Sequence, residues 1–238
     1  MTDHHVHVGW YTDGYHSPES VWRDLCAAGI DEIWVSSTST CAELYKLVKK
    51  EMHQLKRLGG ERVHPILWLT PRMFRTYGLR TMLHSRVVWE AVGIHPESHP
   101  EWAHNKMLAK KAAEVAKSLG VKMIVHTGNV DISEANTFRF LFRDFPNTEF
   151  VLAHGRPIGQ ALDVLRTFPN TRVDTAFMPA NDIKQFIDAG FVDRVDFGTD
   201  APINLLFNSG CPTKDYIQNC IKELQSVTSP EEFRMIVS

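Results

Sequence analysis

Short apolar, β-branched runs alternate with longer stretches of helical periodicity along the chain, and no linker or low-complexity segment interrupts them. The strand candidates are residues 4–8, 32–36, 63–69, 87–94, 122–126, 149–153, 171–175 and 194–198. Helical candidates fall between them at residues 17–28, 42–58, 101–119, 133–145, 158–168 and 182–189, and Gly29, Gly59, Gly120 and Gly190 stand where helices stop. A last helix is expected from Ser229, because Ser229, Pro230 and Glu232 supply a capping hydroxyl, a first-turn proline and a glutamate three residues beyond the cap. Eight strand–helix units in strict alternation predict an α/β fold, the TIM (β/α)8 barrel, as a single domain over residues 1–238. An open doubly wound sheet usually has fewer strands and a glycine-rich first turn, and neither GxGxxG nor GxxxxGK[ST] occurs. In such barrels the chemistry sits at the C-terminal ends of the strands.

The polar residues at those ends form an unusual set. The first strand reads Asp3-His4-His5-Val6-His7-Val8-Gly9, and period-two alternation sends His5 and His7 to one face and His4 to the other. The apolar run 122–126 ends in His126, the run 149–153 is followed by His154, and the last strand leads into Gly198-Thr199-Asp200-Ala201-Pro202. A lone histidine closing a strand is ordinarily a hydrogen-bonded loop residue, and a lone aspartate a helix cap. Taken together, an HxH pair, two further histidines and an aspartate are the imidazole and carboxylate donors that zinc or a similar first-row metal prefers.

With these residues the sequence resembles the amidohydrolase superfamily of metal-dependent hydrolases, most closely its amidohydrolase 2 branch, which includes aminocarboxymuconate-semialdehyde decarboxylase-like proteins. The likeness runs through Asp3-x-His5-x-His7, His126, His154 and Gly198-Thr199-Asp200-Ala201-Pro202, with Gly93-Ile94-His95-Pro96-Glu97 similar to the family's fourth strand segment. The resemblance implies that His5, His7, His126 and Asp200 hold one divalent metal ion, zinc by preference, and that the ion lowers the pKa of a water to about 7. It further implies that Asp200 is the general base. His154 would polarise the scissile carbonyl or orient the water, or else bind a second metal ion. No lysine stands on the fourth strand to bridge two metals, Gly93 occupying what looks like that position, so a one-metal site is expected, with Glu90 a weaker alternative bridge. The chain also starts almost directly at the first strand, leaving no sequence for the small β domain of larger relatives, so a bare barrel is expected.

Composition narrows the partners. A net charge of -2 with no block of like charges argues against a polyanionic partner, so a small-molecule substrate is expected and nucleic acid is not. No apolar run is long enough to span a bilayer, no signal-peptide pattern appears, and four cysteines without CxxC spacing point to a reducing cytoplasm. Association into a homo-oligomer stays open. His95 faces the same way as Gly93 and is read as ligand, substrate contact or plain loop residue. Arg72, Arg75 and Arg156 follow strands, and an arginine fork there could clamp a substrate carboxylate. Trp10 and Tyr11 could wall the pocket.

The expected function is therefore a metal-dependent hydrolase attacking an amide, lactone or other ester-type bond of a small molecule. Its rivals are a metal-dependent decarboxylase of a small aromatic or muconate-like acid, a TatD-like nuclease or phosphoesterase, and a barrel kept only for binding. The TatD-like reading lacks its expected glutamate in a Gly-Glu-x-Gly-like strand, and a noncatalytic barrel would be expected to lack a ligand.

Overall fold

A computed structural model describes residues 1–207 and 211–238. Its strands are β1 (Thr2–Tyr11), β2 (Gly14–His16), β3 (Glu32–Ser37), β4 (Val63–Trp68), β5 (Ala91–Ile94), β6 (Lys122–His126), β7 (Phe150–Ala153), β8 (Thr171–Asp174) and β9 (Val195–Asp196). They form one sheet in the order β2-β1-β3-β4-β5-β6-β7-β8-β9, parallel throughout except that β2 folds back on the end of β1 as a hairpin. The curled sheet meets its own beginning. Val6 bridges Ala201 in parallel, Asp200 N donates to His5 O at 2.7 Å and His4 N donates to Phe197 O at 2.8 Å. The fold is the (β/α)8 barrel, with a hairpin added at its first strand.

The seam is fastened by a side chain. Asp3 is fully buried and accepts from Thr199 Oγ1 at 2.6 Å, Thr199 N at 3.1 Å and His5 N at 3.1 Å. Burial pushes its carboxyl up to about 7, against the pull of these hydrogen bonds. Asp3 of the Asp-x-His-x-His pattern thus joins the two ends of the barrel and does not enter the site.

One apolar cluster holds strands and helices together, with Val6, Val35, Leu67, Val92, Val125, Leu152 and Val173 from the sheet packed beneath helical residues such as Leu25, Met52, Ala113 and Leu165. Some of the helices start where the sequence supplies a side-chain cap. Ser17 accepts from Ser20 N ahead of Pro18–Ala28, and Gly29 ends that helix in the left-handed region at φ 93°. The reciprocal box at Ser229 is present, with Ser229 N donating to Glu232 Oε2 at 2.7 Å and Glu232 N to Ser229 Oγ at 3.3 Å.

Several bounds differ from expectation. The strand expected at 87–94 is only Ala91–Ile94, because Val88 is 71% exposed and Trp89 turns away to donate its indole N–H to Met82 O. The helix expected at 101–119 is two, Glu101–His104 and Lys106–Leu119, since Asn105 caps the second through Leu108 N. Residues 133–145 split into a 3-10 turn, Ala135–Phe138, and a short helix, Arg139–Asp144. The helices Gly78–Leu83 and Thr213–Val227 were not anticipated.

Candidate metal centre

A cavity of about 280 Å³ opens at the C-terminal ends of the strands, and His5, His7, His95, His126, His154 and Asp200 all line it. His5 and His7 both line it, but the register of β1 shifts between Asp3 and Val6, so that His4, expected on the other face, lines the cavity as well, with its ring centroid 6.1 Å from that of Trp34. His154 and Asp200 follow β7 and β9 in the left-handed backbone region, at φ 67° and 61°. A non-glycine residue held there costs roughly 1–2 kcal/mol, and such strain collects at functional sites.

Three donor atoms converge. His5 Nε2 lies 3.2 Å from His7 Nε2 and 3.6 Å from Asp200 Oδ1, and His7 Nε2 lies 2.9 Å from that same oxygen. Ligands held about 2.0–2.1 Å from a tetrahedral ion stand about 3.3 Å apart, so the triangle has a cation's dimensions. Asp200 Oδ1 is buried with no hydrogen-bond partner of good geometry, although His7 Nε2 is 2.9 Å away. An orphaned carboxylate oxygen facing two imidazole nitrogens fits a divalent ion.

The electrostatics agree. Burial works against a charged His5, yet Asp174 and Asp200 outweigh it and push the imidazole up to about 9. Burial likewise opposes ionisation of Asp200, but His5 and His7 hold its carboxyl below the usual carboxylate range. The potential that draws a proton onto His5 is one that would favour a divalent cation. From behind, Asp174 Oδ2 accepts a hydrogen bond from His5 Nδ1 at 2.9 Å and Ser36 Oγ meets His7 Nδ1 at 2.8 Å, which leaves the two Nε2 atoms to face the centre.

His126 is not among the three. Its Nε2 lies 3.5 Å from Glu97 Oε1, and its ring stacks on His95 with centroids 3.6 Å apart. Glu97 is held by Ser133 Oγ at 2.7 Å, and a Cβ at Gly128 would stand 2.0 Å from its Oε1, so that glycine leaves the carboxylate its place. The neighbouring His126 and Ser133 draw Glu97 down to about 2.

His154 Nδ1 lies 3.0 Å from Ala176 O, and a carbonyl only accepts, so that nitrogen carries the proton and Nε2, 4.0 Å from Asp200 Oδ2, carries a lone pair. Burial, with His126 and His5 nearby, lowers His154 to about 3, so its ring is neutral at neutral pH. His95 is the opposite tautomer. Ser98 N donates to its Nδ1 at 3.1 Å, which places the proton on Nε2, and burial keeps the ring neutral between Trp68 and His126.

Of the arginines, Arg156 lines the cavity and donates to Phe177 O at 2.6 Å. Arg72 does not line it. The turn Pro71–Phe74 carries it outward, where Glu43 binds its Nε at 2.9 Å and it borders, with Arg75, a separate cavity beside Cys41 and His99. Tyr11 of the hairpin lines the site, while Trp10 packs against Tyr15. Glu90 stays at the opposite end of the barrel with His64 and Lys56. Asp174 and Glu97 were missed, although Asp174 closes a strand as His126 does and period two sets Glu97 beside His95 and Gly93.

The amidohydrolase family profile matches residues 72–236. No curated protein matches the chain. Among solved structures, a probable 2-pyrone-4,6-dicarboxylic acid hydrolase from Acinetobacter baumannii is similar at TM-score 0.67 and 13% identity, covering 99% of this chain and 95% of that one. A 4-oxalomesaconate hydratase from Rhodopseudomonas palustris gives 0.68 and 14%, covering 100% and 93%. A 5-carboxyvanillate decarboxylase from Novosphingobium aromaticivorans, complexed with manganese and a nitrobenzoic acid, gives 0.64 and 11%, covering 91% and 77%. At such identities these likenesses speak for the fold, and the profile, which takes in well over half of the sequence, speaks for the family. The chain belongs to the amidohydrolase family.

Proposed function

We propose that this chain is a metal-dependent hydrolase that cleaves an amide, lactone or other ester-type bond in a small molecule bearing a carboxylate. The observation that carries the reading is the triangle of His5 Nε2, His7 Nε2 and Asp200 Oδ1, which has no hydrogen-bond partner, inside the cavity. A divalent ion there, zinc from the donor types and manganese its nearest competitor, supplies Lewis acidity and brings the ionisation of water into the neutral range. His126 completes the set if its ring leaves Glu97 for the ion. Asp200 Oδ2 is the proton acceptor, because its other oxygen belongs to the ion's side of the site. His154 orients the attacking water, since its Nε2 lone pair accepts and cannot polarise a carbonyl. That donation falls to the protonated Nε2 of His95, and Arg156 takes the substrate carboxylate. All four cysteines are free thiols, which suits a reducing compartment, and no helix of the described residues is long and apolar enough to cross a membrane.

Decarboxylation is the second reading, favoured by the flat stack of Trp68, His95 and His126 that offers a conjugated acid a face to lie on. Metal analysis of the purified protein, followed by a screen of lactones, amides and aromatic acids, tests both. One equivalent of ion with lactone or amide turnover supports hydrolysis; release of carbon dioxide without hydrolysis replaces it with the lyase, and protein that binds no divalent ion ends both.

A further inference from the structure

We propose that Asp174 is the positioning residue of this site: one buried carboxylate at the end of β8 fixes the tautomer of His5 toward the ion and pins the backbone of His154 beside it. The inference rests on the metal-centre reading above and adds a residue to which neither the family resemblance nor the strand-end pattern assigned a role.

Asp174 is 1% exposed and both of its oxygens are engaged. Oδ2 accepts from His5 Nδ1 at 2.9 Å, and Oδ1 accepts from His154 N at 3.0 Å and Ala176 N at 3.1 Å. The first bond obliges His5 to carry a proton on Nδ1. Its Nε2 is then free to face His7 Nε2 and Asp200 Oδ1, and the imidazole is made more basic toward a cation by the carboxylate behind it. The second bond holds His154 in its left-handed backbone conformation, which delivers its ring to the cavity.

Space has been left for this contact. A Cβ on Gly198 would stand 2.9 Å from the His5 Cβ and 3.3 Å from the Asp174 Cβ, so a larger residue would drive the two side chains apart. Gly198 is in turn locked to the residue after Asp174, its N–H donating to Thr175 Oγ1 at 3.1 Å. His5, His154 and Asp174 fall within 4.8 Å of one another as a second candidate donor set. The hydrogen bonds to both Asp174 oxygens assign that aspartate to supporting the ring of His5.

Asp174→Asn separates positioning from packing. The amide oxygen can still accept from His154 and Ala176, while its NH2 group faces His5 Nδ1 and forces the imidazole proton onto Nε2, where it blocks the lone pair. The experiment is competition titration of zinc and of manganese against a chromophoric chelator, with thermal unfolding of the metal-free protein alongside. Expected is wild type binding one equivalent, the variant binding about 10–100-fold more weakly, and metal-free midpoints that agree within a few degrees. Equal affinity in variant and wild type overturns the inference and leaves the metal centre intact. Wild type that binds no ion overturns the metal centre, and this role with it. Should the variant not fold, proton–nitrogen correlation spectra of the zinc-loaded wild type decide the matter: a protonated, hydrogen-bonded Nδ1 on His5 supports the assignment, and a protonated Nε2 overturns it.

Discussion

The two ends of the barrel are built from the same side chains and finish them differently. At the N-terminal end His64 lies between Glu90 and Glu32, at 2.5 and 2.8 Å, Arg172 forks onto both oxygens of Asp196 at 2.6 and 3.0 Å, and the Lys122 ammonium sits 3.3 Å from the centroid of Trp34. Each of those charges has found its counterpart within the protein. At the C-terminal end Asp200 Oδ1 has no hydrogen-bond partner, and two imidazole nitrogens face each other at 3.2 Å. Histidines and carboxylates brought together therefore do not by themselves mark a site. Donor atoms that converge and remain unsatisfied do.

The largest effect should come from breaking the unsatisfied end. Asp200→Asn is expected to lower kcat about 10²–10⁴-fold on whichever substrate the screen identifies, the range of a lost proton acceptor, whereas His64→Asn at the other end should leave kcat within about twofold. Metal content measured beside turnover interprets the result: an Asp200 variant that keeps both its ion and its rate removes the residue from the proposed role. Next in size is Arg172→Ala. Stripping a largely buried pair of one partner costs about 3–5 kcal/mol, reduced to roughly 2–3 kcal/mol here because 26% of the arginine side chain is exposed. In a chain of this size that is an unfolding midpoint lower by about 5–10 °C. Metal affinity should not change, and a variant that loses its ion would show the two ends to be coupled.

The smallest effect concerns the seam where the first and last strands meet. Because Asp3 is raised to about 7 in the folded protein against 3.8 unfolded, the unfolded carboxyl is already ionised as pH climbs from 6 to 7 while the folded one must give up its proton in a buried place. Folding stability contributed by this group therefore falls as pH rises through that window. An asparagine side chain cannot ionise, so Asp3→Asn should gain on wild type by about 1 kcal/mol between pH 6 and pH 7 in denaturant melts. Parallel curves for the two proteins would mean that Asp3 is ionised throughout.

Legibility in the sequence followed the same division. Apolar runs that end in His126 or lead into His154 and Asp200 declare themselves, because a parallel barrel strand is buried on both faces and a polar terminus stands out against it. Alternation paired His5 with His7 but set His4 on the other face, whereas a register shift between Asp3 and Val6 brings His4 to the cavity too. What periodicity does not carry is side-chain direction beyond the strand: Arg72 was expected at the active face, yet a four-residue turn and the chance of Glu43 nearby take it elsewhere. His126 was expected to share one centre with His5, His7 and Asp200; in this structure its Nε2 lies 3.5 Å from Glu97, two residues past the histidine in Gly-Ile-His-Pro, a contact that strand periodicity did not point to. The hairpin β2 was hidden as well, since three residues are too few for a pattern to show.

Asp3 and Thr199 meet across 196 positions of sequence, and the donors His5, His7 and Asp200 straddle that same junction. An ion held by them would act as a clasp on the ring, gripping the opening and closing strands at once. Chelation would then be felt far from the chemistry: a ligand that binds only the closed form stabilises it by RT ln(1 + [L]/Kd), about 2.7 kcal/mol at a hundredfold excess over Kd. Capture would come late in folding, after nearly the entire polypeptide has wound round to meet its own start.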